Sequence, residues 1–330
     1  MNEGPAMGSG GNAGAAPIMQ AARVSKSYRG VAALSDVSIN IYCGEIYGIA
    51  GLNGAGKSTL LSVLAGAAKP DSGKVLHRGA DIRSSRRALR VGYVPQEIAL
   101  FPDLTVRDNL KFWAAAASAR PSKGQIAEAA EASGLSGALG RRVSALSGGM
   151  KRRANIASAL VARPDVLIMD EPTAGLDAKN RRDIIGFIMR LAGAPRAEGG
   201  GAMTVVYTSH QAGELEYVSD RILLLHRGRA IFEGAPGDAA RNLAGSLGWG
   251  GAAGAGGAAG PGETGGATGA GGAAEAAMAA GQGCAPSQGC APGQGSAAGP
   301  GETGWAKSID DVLYILGGME EGEQGAIAKK

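Results

Sequence analysis

One nine-residue run constrains this chain more than any other feature: Gly51-Leu52-Asn53-Gly54-Ala55-Gly56-Lys57-Ser58-Thr59. It fits the pattern GxxxxGK[ST], with an apolar run before it and a helix-forming run after it. Glycines at 51, 54 and 56 allow backbone N–H groups to turn inward around phosphate oxygens, where a side chain would clash. The helix that follows adds its positive dipole end at the same point. The pattern predicts a nucleotide cradle made by Gly51, Asn53, Gly54, Ala55, Gly56, Lys57, Ser58 and Thr59. Lys57 is expected to reach the β- and γ-phosphates and Ser58 to ligate Mg²⁺. A chance glycine-rich loop is the alternative, and the strand–loop–helix context argues against it.

A second run, Val166-Leu167-Ile168-Met169-Asp170-Glu171, is a buried strand that ends in two carboxylates. Asp170 suits Mg²⁺, directly or through water. Glu171, one residue further, suits a general base facing the attacking water. An acidic strand end alone is commonplace surface; the upstream phosphate loop gives this one its meaning.

From Ile18 to about residue 242, short β-branched runs alternate with helical stretches, the pattern of an α/β domain. Strands are predicted at Val37–Tyr42, Glu45–Ala50, Arg90–Val94, Val166–Asp170, Thr204–Thr208 and Arg221–His226, and a helix at Lys57–Ala65. The continuous apolar runs at 166–169 and 222–225 suit strands covered on both faces. Between Thr105 and Ser144 no strand pattern occurs. Ala-rich stretches at Thr105–Ala117 and Lys123–Ser133 predict helices, so a helical insertion is expected at about 97–145.

A third run, Leu146-Ser147-Gly148-Gly149-Met150-Lys151-Arg152-Arg153, predicts a helix capped by Ser147. Its first N–H groups are unobstructed at Gly148 and Gly149, which makes an anion site. This stretch resembles the signature sequence of ABC ATPases. The resemblance implies a P-loop NTPase fold with a mixed sheet core, an antiparallel β subdomain and an inserted α-helical subdomain. It also implies that Ser147, Gly148 and Gly149 bind the γ-phosphate held by an opposing subunit. Met150 stands where the common family sequence has Gln. Other residues match family positions in order. Tyr28 matches the aromatic on which adenine stacks, Gln96 the glutamine that links Mg²⁺ to the helical insertion, Asp177 the loop that crosses the dimer interface, and His210 the switch histidine. Tyr28 could otherwise be a surface residue, and Asp177 could also cap the next helix. His77 and His226 match nothing. Several runs, among them 105–110, 148–153 and 173–177, look like the branch that drives drug, antibiotic, lipid or sodium export.

The glycine count of 57 in 330 residues requires a low-complexity region. It lies at 243–304, where Pro-Gly-Glu-Thr-Gly and Gln-Gly-Cys-Ala-Pro each occur twice. The composition predicts a disordered linker, since too little apolar surface is available to offset ordering. Residues 1–17 read the same way. At 305–330 a tail follows in which Ile309, Val312, Leu313 and Leu316 have helical spacing, expected to dock back on the main domain. The three cysteines are Cys43, read as a small core residue, Cys284 and Cys290; none suggests a zinc site. A net charge of +4 is too small to argue for nucleic acid. No run is apolar and long enough to span a membrane, and no secretory signal is apparent.

The resemblance thus implies an ATPase with ATP and Mg²⁺ as ligands, cytoplasmic and held at the membrane face by a separate permease. A single set of motifs supplies half of each ATP site, so a second ATPase subunit, most simply an identical one, is expected. An import motor shares the same catalytic residues. A soluble ABC ATPase acting on DNA or ribosomes is the further alternative.

Overall fold

The computed structural model describes residues 15–84, 90–117, 121–193 and 202–239, together with Asn242, Ile309, Leu313 and Tyr314. The expected linker at 243–304 and most of the tail lie outside the described residues. Ile309, Leu313 and Tyr314 are helical; Ile309 is fully buried and its amide donates to Glu216 Oε1 at 2.5 Å.

The centre of the fold is a six-stranded sheet in the order β10-β9-β3-β8-β7-β6. Its strands are β3 (Ile46–Ala50), β6 (Val91–Val94), β7 (Val166–Met169), β8 (Thr204–Thr208), β9 (Arg221–His226) and β10 (Arg229–Gly234). All pairings are parallel except β9 with β10. β3, β7 and β8 are buried at every position, as a parallel sheet covered on both faces requires. The two-residue period of a strand divides this apolar content between two cores. Ala50, Leu167, Met169, Val205, Tyr207, Ile222 and Leu224 point to one. Tyr47, Ile49, Val166, Ile168, Val206, Leu223 and Leu225 point to the other.

The second core is roofed by an antiparallel sheet in the order β2-β1-β4-β5, formed by β1 (Met19–Tyr28), β2 (Val31–Ile41), β4 (Ser72–His77) and β5 (Ala80–Asp81). Helix α1 (Lys57–Leu64) lies within it, through Leu60, Leu61, Val63 and Leu64. β1 escaped the sequence pattern because it is irregular. Its register slips between Ala21 and Val24, where Arg23 has φ 49°, so the polar/apolar alternation is lost. β2 begins earlier than predicted and ends at Ile41. Cys43 is exposed rather than part of the core, because it falls in the turn between β2 and β3.

The first core is covered by helices. α2 (Val106–Ala116) starts at a Thr105 cap and α3 (Lys123–Ala132) at a Ser122–Gln125 capping box. Two 3₁₀ turns at 136–138 and 143–145 lead to α4 (Gly148–Leu160). α5 (Ala178–Gly193) and α6 (Ala212–Val218) complete the layer. Among the described residues from 105 to 145 there is no named strand, and Thr105 and Arg142 form an isolated bridge.

Candidate functional site

Four neighbouring strands, β3, β8, β7 and β6, end at the same edge of the sheet, and each delivers one part of the site from the loop beyond its carboxyl end. That edge is the general ligand position in open α/β sheets. Register keeps the parts aligned: Ile49 pairs with Thr208, Met169 with Tyr207, and Val94 with Met169.

β3 runs into the phosphate loop. Gly51, Gly54 and Gly56 have φ of 154°, 80° and 104°. A Cβ on Gly51 would lie 2.4 Å from Leu225 O, and one on Gly56 2.4 Å from Ala33 O, so neither position admits a side chain. The Ala33 contact sets β2 against the loop, and Tyr28, the last residue of β1, pairs with Val31 at the start of β2. Tyr28 is 49% exposed, with Lys26 Nζ 5.3 Å from its ring centroid. Lys57 is buried, and its Nζ donates to Gly51 O at 2.8 Å and Leu52 O at 3.0 Å. Burial pushes its ammonium pKa down, against the pull of Glu171 and Asp170. Ser58 is exposed at the first turn of α1.

β7 delivers Asp170 and Glu171, both buried. Glu171 has φ 45°, a sparsely populated conformation for a non-glycine residue and one found at functional sites. Its Oε2 accepts from Gln96 Nε2 at 2.9 Å, and its Oε1 pairs with His210 Nε2. The sequence-predicted residues from the loops after β6, β7 and β8 therefore meet around one carboxylate. The donors Asp170, Ser58 and Gln96 offer carboxylate, hydroxyl and amide oxygens, the hard set that suits Mg²⁺. Gln96 contributes its nitrogen to Glu171, which leaves its carbonyl oxygen for a cation. Among the described residues no cluster of three His, Cys, Asp or Glu side chains makes a protein-only cage. Such a set fits an ion whose shell phosphates and water complete.

Two contributors were not legible in the motifs. Thr208, fully buried, donates to Asp170 Oδ1 at 2.8 Å and accepts from Glu171 N at 2.9 Å. Arg152, on α4, donates through Nη1 to Gln96 O at 2.7 Å and through Nη2 to Ala174 O at 3.4 Å. Arg152 shares the buried face of α4 with Gly149, Asn155, Ile156 and Ala159, and a charged residue at a position of that face is the one hint of its role in the sequence.

Ser147 caps α4, accepting from Met150 N at 3.3 Å. Gly149 packs so closely on Asn180 that a Cβ would lie 2.5 Å from its Oδ1. Asp177 takes the capping role for α5, accepting from the amides of Lys179 at 3.0 Å and Asn180 at 2.9 Å. None of these hydrogen bonds reaches the phosphate loop. Beside the Gln96 loop, Phe101, Phe112 and Trp113 form an aromatic cluster, with Phe101 and Phe112 centroids 4.7 Å apart at 81°. Phe101 and Phe112 are 42% and 45% exposed, and Ile98 and Leu104 are also exposed. Asn109 pins this surface through Phe101 and Thr105, and Asn155 bonds Ala99 N at 3.2 Å.

A glycine loop, an acidic strand end and His210 at one sheet edge, together with a Ser-Gly-Gly helix start at α4, can be compared with known proteins. The family model described as "ABC transporter" matches residues 34–174. The linearmycin resistance ATP-binding protein LnrL of Bacillus subtilis is 38% identical over 232 residues, 69% of this chain and 72% of that protein. The chain belongs to the ABC transporter ATP-binding family. The Nod factor export ATP-binding protein I of Rhizobium etli is 37% identical over 226 residues, covering 67% of this chain and 69% of its own. Among solved structures, cbiO1 of Clostridium perfringens, part of the transporter complex cbiONQ, has a TM-score of 0.58 and 28% identity, covering 71% of this chain and 96% of that one. The cassette MJ0796, a dimer in a post-hydrolysis state bound to ADP and Pi, has a TM-score of 0.57 and 27% identity, covering 66% and 98%. A model described as "AAA domain, putative AbiEii toxin, Type IV TA system" also matches, at 135–216. The chain is thus the ATP-binding subunit of an ABC transporter and hydrolyses ATP. Among the described residues no helix of this ABC subunit is long and apolar enough to cross a membrane.

Proposed function

We propose that this subunit powers export of a substrate through a separate membrane permease, held by it at the cytoplasmic face of the membrane. The observation that carries the permease reading is the exposed apolar surface of Ile98, Phe101, Leu104 and Phe112, one loop from Gln96. Several exposed large apolar side chains in one stretch beside the Gln96 loop suit a partner surface. Export is supported by LnrL and the Nod factor proteins. Import is the second reading, because the sulfate/thiosulfate import protein CysA of Synechococcus elongatus is 34% identical over 229 residues.

In this reading the phosphate loop and Lys57 hold the ATP phosphates, and Tyr28 stacks on the adenine. Ser58, Asp170 and Gln96 hold Mg²⁺, which when bound neutralises charge on the phosphates. Glu171 takes the proton of the attacking water, with His210 orienting it. The Ser147-Gly148-Gly149 helix start faces the γ-phosphate of a second, most simply identical, subunit, and Asp177 lies at that interface. Closure on ATP and opening after hydrolysis then move the helical layer against the permease.

The test is a pull-down of tagged Glu171→Gln protein from detergent-solubilised membranes with ATP present. A co-purifying polytopic membrane protein is the expected result. Recovery of soluble proteins or nucleic acid alone overturns the transporter coupling. Reconstitution of the pair in vesicles then gives direction, and substrate moving toward the ATP side would replace export with import.

A further inference from the structure

We infer that Thr208 is the positioning residue for both carboxylates of the site, which rests on reading Asp170 and Glu171 as metal-side and base carboxylates. The Thr208 side chain is buried at the end of β8, and its neighbours on either side are β3 and β7. β-branching restricts χ1 of this buried side chain, and its two hydrogen bonds hold the hydroxyl in place. A hydroxyl has one proton and can accept as well. An ionised carboxylate only accepts, so the proton goes to Asp170 Oδ1 at 2.8 Å and the oxygen receives Glu171 N–H at 2.9 Å.

This short chain of bonds does two things at once. At Asp170 it fixes the carboxylate plane by occupying one oxygen, which leaves Oδ2 for a cation. At Glu171 it satisfies a buried amide that the sheet does not reach. The Asp170 amide still bonds Val94 O at 2.9 Å, but the β7–β8 register ends with Met169 and Tyr207. Without the hydroxyl, the Glu171 amide loses its partner, the left-handed backbone there keeps only the bond from Ala174 N to Glu171 O at 3.1 Å, and the carboxylate shared by Gln96 and His210 loses part of its aim. Thr208 touches no nucleotide atom in this arrangement; it acts through its two neighbours. Partners of metal-ligating carboxylates typically matter at the level of about 10–100-fold in metal affinity or activity.

The experiment compares Thr208→Val, which keeps shape and removes the hydroxyl, with Thr208→Ser, which keeps the hydroxyl. In the full chain, kcat and KM for ATP, the thermal midpoint, and ATP affinity with Mg²⁺ and with EDTA are measured for each. Thr208→Val is expected to lose about 10–100-fold in kcat and about 10-fold in the Mg²⁺-dependent gain in ATP affinity, with EDTA affinity within about 2-fold. Thr208→Ser is expected to recover both to within about 3-fold. The inference is overturned if Val retains kcat and the Mg²⁺ gain, or if Ser and Val fail equally in step with their thermal midpoints. Should Val not fold, Thr208→Ala against Thr208→Ser makes the same comparison. Asp170→Asn is the control for the underlying reading. If it leaves the Mg²⁺ gain intact, the metal assignment is wrong, whereas loss in Asp170→Asn with none in Thr208→Val defeats only the role of Thr208.

Discussion

Gln96 and Glu171, 75 positions apart in the chain, share a 2.9 Å hydrogen bond from Nε2 to Oε2. That bond ties the loop beneath the exposed aromatic cluster to the proposed base. In the proposed reading, a partner that moves the loop moves the donor of this bond, which would give docking and hydrolysis a common part.

Glu171→Gln should retain ATP binding and lose about 10²–10⁴-fold in hydrolysis, the usual effect of removing a general base. Steady-state turnover and nucleotide affinity, measured on one preparation, check both halves. Normal turnover in the variant would remove Glu171 from the role.

Lys57→Ala should abolish tight ATP binding. The Nζ is already desolvated and held by two loop carbonyls, so redirecting it to phosphate needs no new burial of charge. An unchanged dissociation constant, measured by calorimetry, would contradict the phosphate-loop assignment.

Arg152→Met should lower the thermal midpoint. Its guanidinium donates to the part-buried Gln96 O at 2.7 Å, and a hydrogen bond to a charged group contributes about 1.5–3 kcal/mol. At about 2–4 °C per kcal/mol for a domain of this size, the drop should be a few degrees or more in a calorimetric scan. ATP-driven turnover should fall as well, because Gln96 loses one of its anchors.

Phe112→Ser should leave the ATPase rate of the isolated subunit within about 2-fold, because a surface change away from buried features alters little. It should sharply reduce recovery of the membrane partner in the pull-down. Equal recovery would move the docking surface elsewhere.

His77 supplies a pH dependence. Its pKa is held below the ordinary 6.5, chiefly by burial, with Asp165 opposing and Arg78 and Arg90 adding to the shift. The folded chain therefore binds this proton less readily than the unfolded one. Its contribution to stability is complete above about pH 6.5 and is lost as pH falls through that value toward the folded pKa. The carboxyls of Glu45, Glu214 and Glu233 are raised by burial and act in the opposite sense, so the difference between proteins is the readout. The fall in thermal midpoint on acidification should be smaller in His77→Asn than in the parent.

Much of the parallel sheet was legible because its strands carry continuous apolar runs, such as 166–169 and 222–225, and the motif residues follow those strands directly. Of the antiparallel sheet only the end of β2 was read as a strand, at Val37–Tyr42, and the sheet itself was implied by resemblance. β4 buries only Val75 and His77 along its length, and β1 breaks its own alternation at Arg23, so neither carries a clear period. Cys43 misled because an apolar neighbourhood in sequence became a turn in space. At the site, the motifs named the groups facing the ligand but not those behind them. Thr208 and Arg152 act through partners 38 and 56 positions away, and no local pattern encodes such distances.

The shared edge of β3, β8, β7 and β6 also works as a ruler. Three interstrand steps of about 4.8 Å separate the phosphate loop from the Gln96 loop, a span of about 14 Å. These intervals are properties of backbone pairing and are the same whatever the loops contain. Loop substitutions can therefore retune which groups meet the nucleotide and how strongly. The spacing between the glycine loop, the two carboxylates and the Gln96 loop changes only if a strand changes its neighbour.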